Sequence, residues 1–498
     1  MLSFPNHTPR ERHLTFATIA CVAFIVLLML RGFWFIQSDD CYIFYSYAKN
    51  LASGNGYVFN IGERVNATTS PLYTILLALL YTALRFLPFI SIPLLGHLIG
   101  AVSLFFLCYF LLRSFDSERE FLYPFILPLV FLCTPFLARA VGMETFLAMM
   151  LGMMALHFYV HEKLVAASFA SSLSLLARPD MLLLAAVLVV YDFARNRHFP
   201  TIKMLAVFML PVGAWLAFSL LYFGSVLPST FSAKLVQTEI GLWGSGPVFF
   251  SGLVSGEAWF GGRAVGRLLG ITMFLGVLVI TAKWRKWSLL RHPVFHLILL
   301  WQVVYLVVYG IILDAPAYEW YYTPLALSVA LIVALPIEFI YRLLSDTKTV
   351  PNWILQPIIV VVLVLTASIF PVVGLQQPTS STYINYRDAT EWLNTHAKAG
   401  ESVATNCIGV VRYYYDKGPV IDGVGLVTPA VVARLKRGEF DWYINHYQPD
   451  YLLFQQPPFQ KVEQMAHEEW FQAEYSLERI FRTRWHAAAL YVRRNQEN

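Results

Sequence analysis

The sequence predicts an all-α polytopic membrane domain of about eleven transmembrane helices plus juxtamembrane helices, followed by a soluble C-terminal α/β domain. Three observations predict it. Of 498 residues, 57% are hydrophobic and only 13% charged, about half the charged share of an ordinary soluble domain. Apolar windows about 20 residues long, enough to cross a hydrocarbon core of about 30 Å, recur from residue 15 to residue 374. After residue 375 the composition changes, and charged residues and glycine turns return. A soluble enzyme and a disordered chain are excluded. The net charge of +5 forms no basic tract, so no nucleic-acid partner is implied.

Taken in order, the apolar windows fall near 15–36, 93–112, 121–138, 145–160, 164–177, 181–194, 204–222, 265–282, 294–313, 324–341 and 353–374. The stretch 70–90 is also apolar, but it opens on Ser70-Pro71 and is interrupted by Arg85 and Pro88. It reads as a helix at the membrane surface rather than a span. The first window is too long for a cleaved leader and lacks a small-residue cleavage site. The five cysteines show no paired spacing, so neither a zinc site nor a disulfide framework is expected.

Lys and Arg set the orientation. With the N-terminus cytoplasmic, the inner loops collect Arg10, Arg12, Arg113, Arg119, Lys163, Arg195, Arg197, Lys203, Lys283, Arg285, Lys286, Arg291, Arg342 and Lys348. Their density is about fourfold that of the outer loops. This places a first outer loop, 37–92, and everything after residue 375 on the outer side of the membrane. Counting 70–90 as a span would invert every later loop. Residues 1–375 are therefore expected to form the membrane domain and 376–498 an extracytoplasmic one. In the tail, Tyr386–Ala397 and Thr428–Lys436 read as helices. Ser402–Thr405, Pro449–Phe454 and a closing Ala487–Arg493 read as strands.

The first outer loop carries the densest chemistry. Directly after the first window stand Asp39 and Asp40, then Tyr42, Glu63, Arg64 and Thr69. Adjacent carboxylates at the mouth of a span repel each other and cost several kcal/mol if drawn into lipid. A general base facing a hydroxyl explains such a pair, as do hard oxygen ligands for a divalent cation. A solvated helix cap explains it equally well.

Beyond the pair, the loop runs Asp39-Asp40-x-Tyr42, Tyr47-Ala48-x-Asn50-Leu51, Gly54-x-Gly56-x-Val58-Phe59-Asn60, Gly62-Glu63-Arg64-Val65 and Thr69-Ser70-Pro71-Leu72. This stretch resembles the signature of polytopic glycosyltransferases of the GT-C superfamily, most closely an arabinofuranosyltransferase-like branch. Protein O-mannosyltransferases and the lipid A aminoarabinose transferase are more distant relatives. Many members carry Glu-Gly where this chain has Asn66-Ala67. The resemblance continues through Gly142-Met143-Glu144-Thr145, with Arg139 just before it, and Arg178-Pro179-Asp180. It extends to Leu227-Pro228-Ser229-Thr230 with Ala233-Lys234, to Trp320-Tyr321-Tyr322-x-Pro324, and in the tail to Gly409, Tyr413-Tyr414, Asp422 and Gly425-Leu426.

The resemblance implies an inverting glycosyltransferase using a polyprenyl-phosphate sugar, hexose or pentose, with arabinofuranose a first candidate. The acceptor would be an extracytoplasmic glycan, lipid or protein. Asp39 falls on the base position and Asp40 beside it, with Glu144 as a second acidic site. Lys234, Arg178, Arg139 and Tyr321 would hold the donor phosphate. Asp40 and Glu144 would be the ligands if a divalent cation such as Mg or Mn takes part. Each has a plainer reading: arginines at span ends snorkel to headgroups, and Tyr321 fits an interfacial aromatic belt. The alternative function is a transporter or lipid-linked sugar flippase. Such proteins usually show internal repeats and ionisable groups at the bilayer midplane, neither of which is visible here.

Overall fold

The computed structural model describes residues 8–33, 38–244, 246–255, 262–347, 350–375, 382–459, 461–483 and 486–494. In chain order the helices are α1 (Pro9–Gly32), α2 (Asp39–Ala52), α3 (Pro71–Leu84), α4 (Ile92–Arg113) and α5 (Tyr123–Leu132). Next come α6 (Thr145–Val160), α7 (Leu164–Ala177), α8 (Leu182–Asn196), α9 (Ile202–Phe223), α10 (Ser229–Glu239) and α11 (Val248–Ser255). They are followed by α12 (Gly262–Lys283), α13 (Pro293–Val307), α14 (Ala326–Asp346) and α15 (Asn352–Leu375). The tail adds α16 (Thr382–His396), α17 (Ile408–Tyr414), α18 (Pro429–Leu435), α19 (Trp442–Tyr447) and α20 (Glu469–Glu474).

Among the described residues, seven helices are long and apolar enough to cross a bilayer: Pro9–Gly32, Ile92–Arg113, Ile202–Phe223, Ala264–Lys283, Pro293–Ile312, Glu319–Asp346 and Asn352–Val373. Their outward faces are apolar and open, as at Leu210, Leu221, Phe274 and Leu365, each more than 60% exposed. A water-soluble fold would not leave such surface bare; this is an integral membrane protein. The other expected spans form helices too, but shorter ones. α5 has 10 residues and every one is buried, while α6 has 16 and α7 has 14. At 1.5 Å per residue these fall short of a full hydrocarbon core. A helix sheathed by other helices need not reach both lipid surfaces. α3 ends at Leu84 with Arg85 as its cap, as the charge and the following proline require.

The chain divides into two compact units. The first comprises Met1–Trp34, His97–Val212 and Phe249–Gln376; the second comprises Phe35–Gly96, Gly213–Val248 and Gln377–Asn498. In the first unit, the fully buried Glu338 of α14 accepts from the Tyr123 amide at 2.8 Å and from Arg342 Nε at 2.7 Å. Its carboxylate satisfies an open donor at the start of α5, a structural task.

In the second unit the tail builds a five-stranded sheet, order β2-β1-β3-β5-β4, from β1 (Val403–Thr405), β2 (Val420–Asp422), β3 (Tyr451–Gln456), β4 (Tyr475–Arg482) and β5 (Ala487–Arg493). β2, β1 and β3 run parallel; β5 is antiparallel to both β3 and β4. The strand expected to close the sheet is thus internal. The edge is β4, whose charged, largely exposed residues hide its strand character. β2, only three residues long, also escaped the pattern.

The tail is hydrogen-bonded to the first loop and to α10. Asn60 from the first loop exchanges two hydrogen bonds with Val420, Nδ2 to the carbonyl at 3.0 Å and Oδ1 from the amide at 3.1 Å. It thereby extends the edge of β2 as a strand residue would. Asn50 clamps the glycine turn by donating to the carbonyls of Val58 at 2.9 Å and Phe59 at 2.7 Å. The carbonyl of Asn66 accepts from the Ser229 amide at 2.6 Å, and Asn66 Nδ2 donates to Ser219 at 2.8 Å. α10 closes the seam: Ser229 donates to the Leu426 carbonyl at 2.6 Å and Gln237 to the Val424 carbonyl at 2.8 Å. Those carbonyls sit in a turn knotted around buried Asp422, which accepts from the amides of Val424 and Val427, each at 2.8 Å. Burial pushes the Asp422 carboxyl up to about 6 against those bonds.

Candidate active site

Ser38 caps α2, its hydroxyl accepting from the Asp40 amide at 3.3 Å. Asp39 and Asp40 therefore open the first turn without being its cap, and their carboxylates point elsewhere. Asp39 turns to the tail: Oδ1 accepts from the Val410 amide at 2.8 Å and the Cys407 thiol at 3.1 Å, and Oδ2 from the Gly409 amide at 3.1 Å. Burial among these groups pushes its carboxyl up to about 6, although the Val410 amide, Cys407 and Gly409 oppose the shift and neighbouring Asp40 adds to it. Part of the residue still meets solvent. Asp40 Oδ2 lies 3.4 Å from Lys234 Nζ on α10, and both side chains remain 23% exposed. The second unit thus gathers two carboxylates, a cation and the donors that hold Asp39 from three distant stretches of chain.

A second constellation lies in the first unit. Gly142, with φ +81, makes the turn that brings Glu144 to the start of α6; a side chain there would be strained. Arg178 caps α7 and donates through Nη1 to Glu144 Oε1 at 3.1 Å and Thr145 Oγ1 at 2.9 Å. Its Nε reaches Asp180 Oδ1 at 3.1 Å and its Nη2 reaches Oδ2 at 2.6 Å, the two-pronged geometry of a strong guanidinium–carboxylate pair. Tyr309 donates to the same Asp180 at 2.9 Å. Tyr321 stands edge-on to the Tyr309 ring, centroids 4.9 Å apart, and its carbonyl accepts from Tyr305 at 2.9 Å. Glu144 and the Arg178 and Asp180 side chains are under 10% exposed.

Of the sequence-predicted residues, the structure brings Asp39, Asp40 and Lys234 together in one unit, and Glu144, Arg178 and Tyr321 in the other. Arg139 lies in a short helical turn, Ala138–Ala140, and its side chain is outside those described. Tyr42 is buried, packed edge-on to Tyr45 and Tyr413 with centroids 5.1 and 5.4 Å apart. Glu63 is exposed and accepts from Asn60 at 3.1 Å. The exposed Arg64 lies 4.6 Å from the Tyr222 ring centroid, and Thr69 is half-buried. Cys407, Val410 and Asp180 went unrecognised: the first two carry no motif, and Asp180 was seen only as part of an arginine loop.

The fit to a divalent cation is poor. Among the described residues no three His, Cys, Asp or Glu side chains gather as a ligand set. Asp40 has Lys234 beside it, and Glu144 has Arg178. No step of the chemistry below is routed through a metal.

Residues 377–496 match a family described as "Domain of unknown function (DUF8728)". No curated protein matches the chain. Among solved structures, ArnT from Cupriavidus metallidurans in the apo state is similar over 95% of this chain and 97% of its own, with a TM-score of 0.56 and 13% identity. The apo oligosaccharyltransferase of Archaeoglobus fulgidus is similar over 90% of this chain and 70% of its own, with a TM-score of 0.52 and 12% identity. Both have the GT-C fold, and this chain shares it. The fold expected from the loop signature is therefore the fold observed.

Proposed function

We propose that the protein is an inverting membrane glycosyltransferase that moves a sugar from a polyprenyl-phosphate donor to an extracytoplasmic acceptor. A pentose such as arabinofuranose is the first donor to try, following the loop signature. The carrying observation is the Asp39–Asp40–Lys234 constellation, in which a fixed carboxylate lies one residue from a half-buried acid–cation pair. Two further facts support it. The fold is that of ArnT, a lipid A aminoarabinose transferase, and of an oligosaccharyltransferase. The Lys/Arg bias is that expected of a chain whose first loop and tail face outward.

In this reading a hydroxyl of the acceptor, a glycan, lipid or protein, attacks the anomeric carbon. Its proton passes to Asp39 as the new C–O bond forms. The bond from that carbon to the phosphate oxygen breaks, through an oxocarbenium-like state, and the polyprenyl phosphate departs as an anion without being protonated. Lys234 meets that charge, and Asp40 holds the ammonium in place. Arg178 sits in an internal network, and its part is to orient Glu144. A single displacement using one base inverts the anomeric centre.

The test is transfer of radiolabel from polyprenyl-phosphate arabinofuranose into envelope material insoluble in organic solvent, using membranes that contain the protein. Label in a covalent linkage is expected; donor that crosses the membrane intact with no bond formed would make the protein a flippase. Lys234→Ala should raise the donor KM by about tenfold to a hundredfold, the worth of one charge-assisted contact of about 1.5–3 kcal/mol. Donor titration with acceptor in excess checks it. An unchanged donor KM would remove Lys234 from the phosphate site.

A further inference from the structure

We infer that the C-terminal domain is a working part of the catalytic centre, in which the Gly409 and Val410 amides and the Cys407 thiol hold the Asp39 carboxylate in the orientation that accepts the acceptor's proton. Gly409 is then a positioning residue. The inference rests on the proposed role of Asp39 as base.

The geometry argues it in three steps. First, a carboxylate has about four acceptor directions, and here three are taken by donors on one short stretch of chain, 407–410. Among the described residues no donor takes the fourth, on Oδ2, where the acceptor's proton would arrive. Second, the approach demands glycine. A Cβ built on Gly409 would overlap the Asp39 carbonyl oxygen and come within 3.1 Å of Asp39 Oδ1. Any larger residue would push the two backbones apart and draw the amides off the carboxylate. Third, the stretch is held in place from both sides. The Asn60–Val420 ladder pins β2 to the first loop, and Lys49 of α2 donates to the Tyr413 carbonyl at 2.8 Å at the far end of α17. Burial, and then the adjacent Asp39, drive the Cys407 thiol well above its usual range. It therefore keeps its hydrogen and donates.

In the proposed reaction these three donors act through Asp39, to which they are hydrogen-bonded. Loss of one should lower kcat and leave both KM values alone, a split that a general loosening of the tail would not produce. In the transfer assay above, Gly409→Ala should lose roughly a hundredfold in kcat, the scale of a 1 Å misplacement, with donor and acceptor KM unchanged. Cys407→Ala should lose severalfold, and Cys407→Ser, which keeps a donor, should recover it. Lys436→Ala, on an exposed ion pair with Glu239 elsewhere on the same seam, should match the unaltered protein. Should Gly409→Ala fail to fold, the Cys407 pair carries the test. The inference is overturned if Gly409→Ala turns over at the normal rate, or if Cys407→Ala and Cys407→Ser fall alike. Absence of glycosidic bond formation by the unaltered protein would instead overturn the proposed function.

Discussion

Asp39→Asn is expected to cost about a thousandfold in kcat, in the middle of the range for removal of a general base. The amide is close in shape to the carboxylate. Its oxygen can keep the Val410 bond, while its NH2 faces the Gly409 donor and cannot accept, at a cost of about 1–3 kcal/mol in stability. Protein should therefore still be recovered from membranes, and the measurement is turnover per folded molecule. Near-normal turnover would remove Asp39 from the mechanism. The pH profile supplies a second reading of the same group. Burial pushes Asp39 up to about 6, and the base works only when unprotonated. The rate should fall about tenfold per pH unit below that value and level off above it. Burial is the main cause of that rise, and the charge of neighbouring Asp40 adds to it. A flat profile from pH 5 to pH 8 would contradict the assignment.

The largest structural effect is expected at Arg178. Its guanidinium faces Glu144 at 3.1 Å and Asp180 at 2.6 Å, with all three side chains at 8% exposure or less. Removing the cation strands two buried carboxylates, which typically costs about 3–5 kcal/mol. Arg178→Gln should lower the thermal midpoint of the detergent-solubilised protein and reduce its yield. Adding Asp180→Asn to that variant should recover part of the loss, because one orphaned charge is then gone. A simple headgroup-snorkelling arginine would behave otherwise: its replacement would leave the melting midpoint alone. Identical midpoints for Arg178→Gln and the unaltered chain would mean that the network does not hold the helices as drawn.

Much of the fold was written locally. The windows at 145–160 and 164–177 coincide with α6 and α7, and the strand at Ala487–Arg493 with β5, because apolar runs bounded by charge or turn residues determine where elements begin and end. What local pattern does not carry is partnership. Nothing near Asp39 announces Gly409, some 370 residues later, and nothing near Asp40 announces Lys234. Charge alone left a donor phosphate and a lipid headgroup open to Arg178, and its pairing with Glu144 and Asp180 is written nowhere in the local pattern. Asn66 ties the first loop to Ser219 of α9 and Ser229 of α10. Long-range pairings of this kind arise when the chain closes, and motif spacing is silent about them.

A direct trial of the central claim is the anomeric configuration of the product, read by NMR coupling constants or configuration-specific glycosidase digestion, with a donor of known configuration. One base and one displacement predict complete inversion. Retention would require a covalent sugar–enzyme intermediate or a second displacement, and the account of Asp39 as sole proton acceptor would then fall.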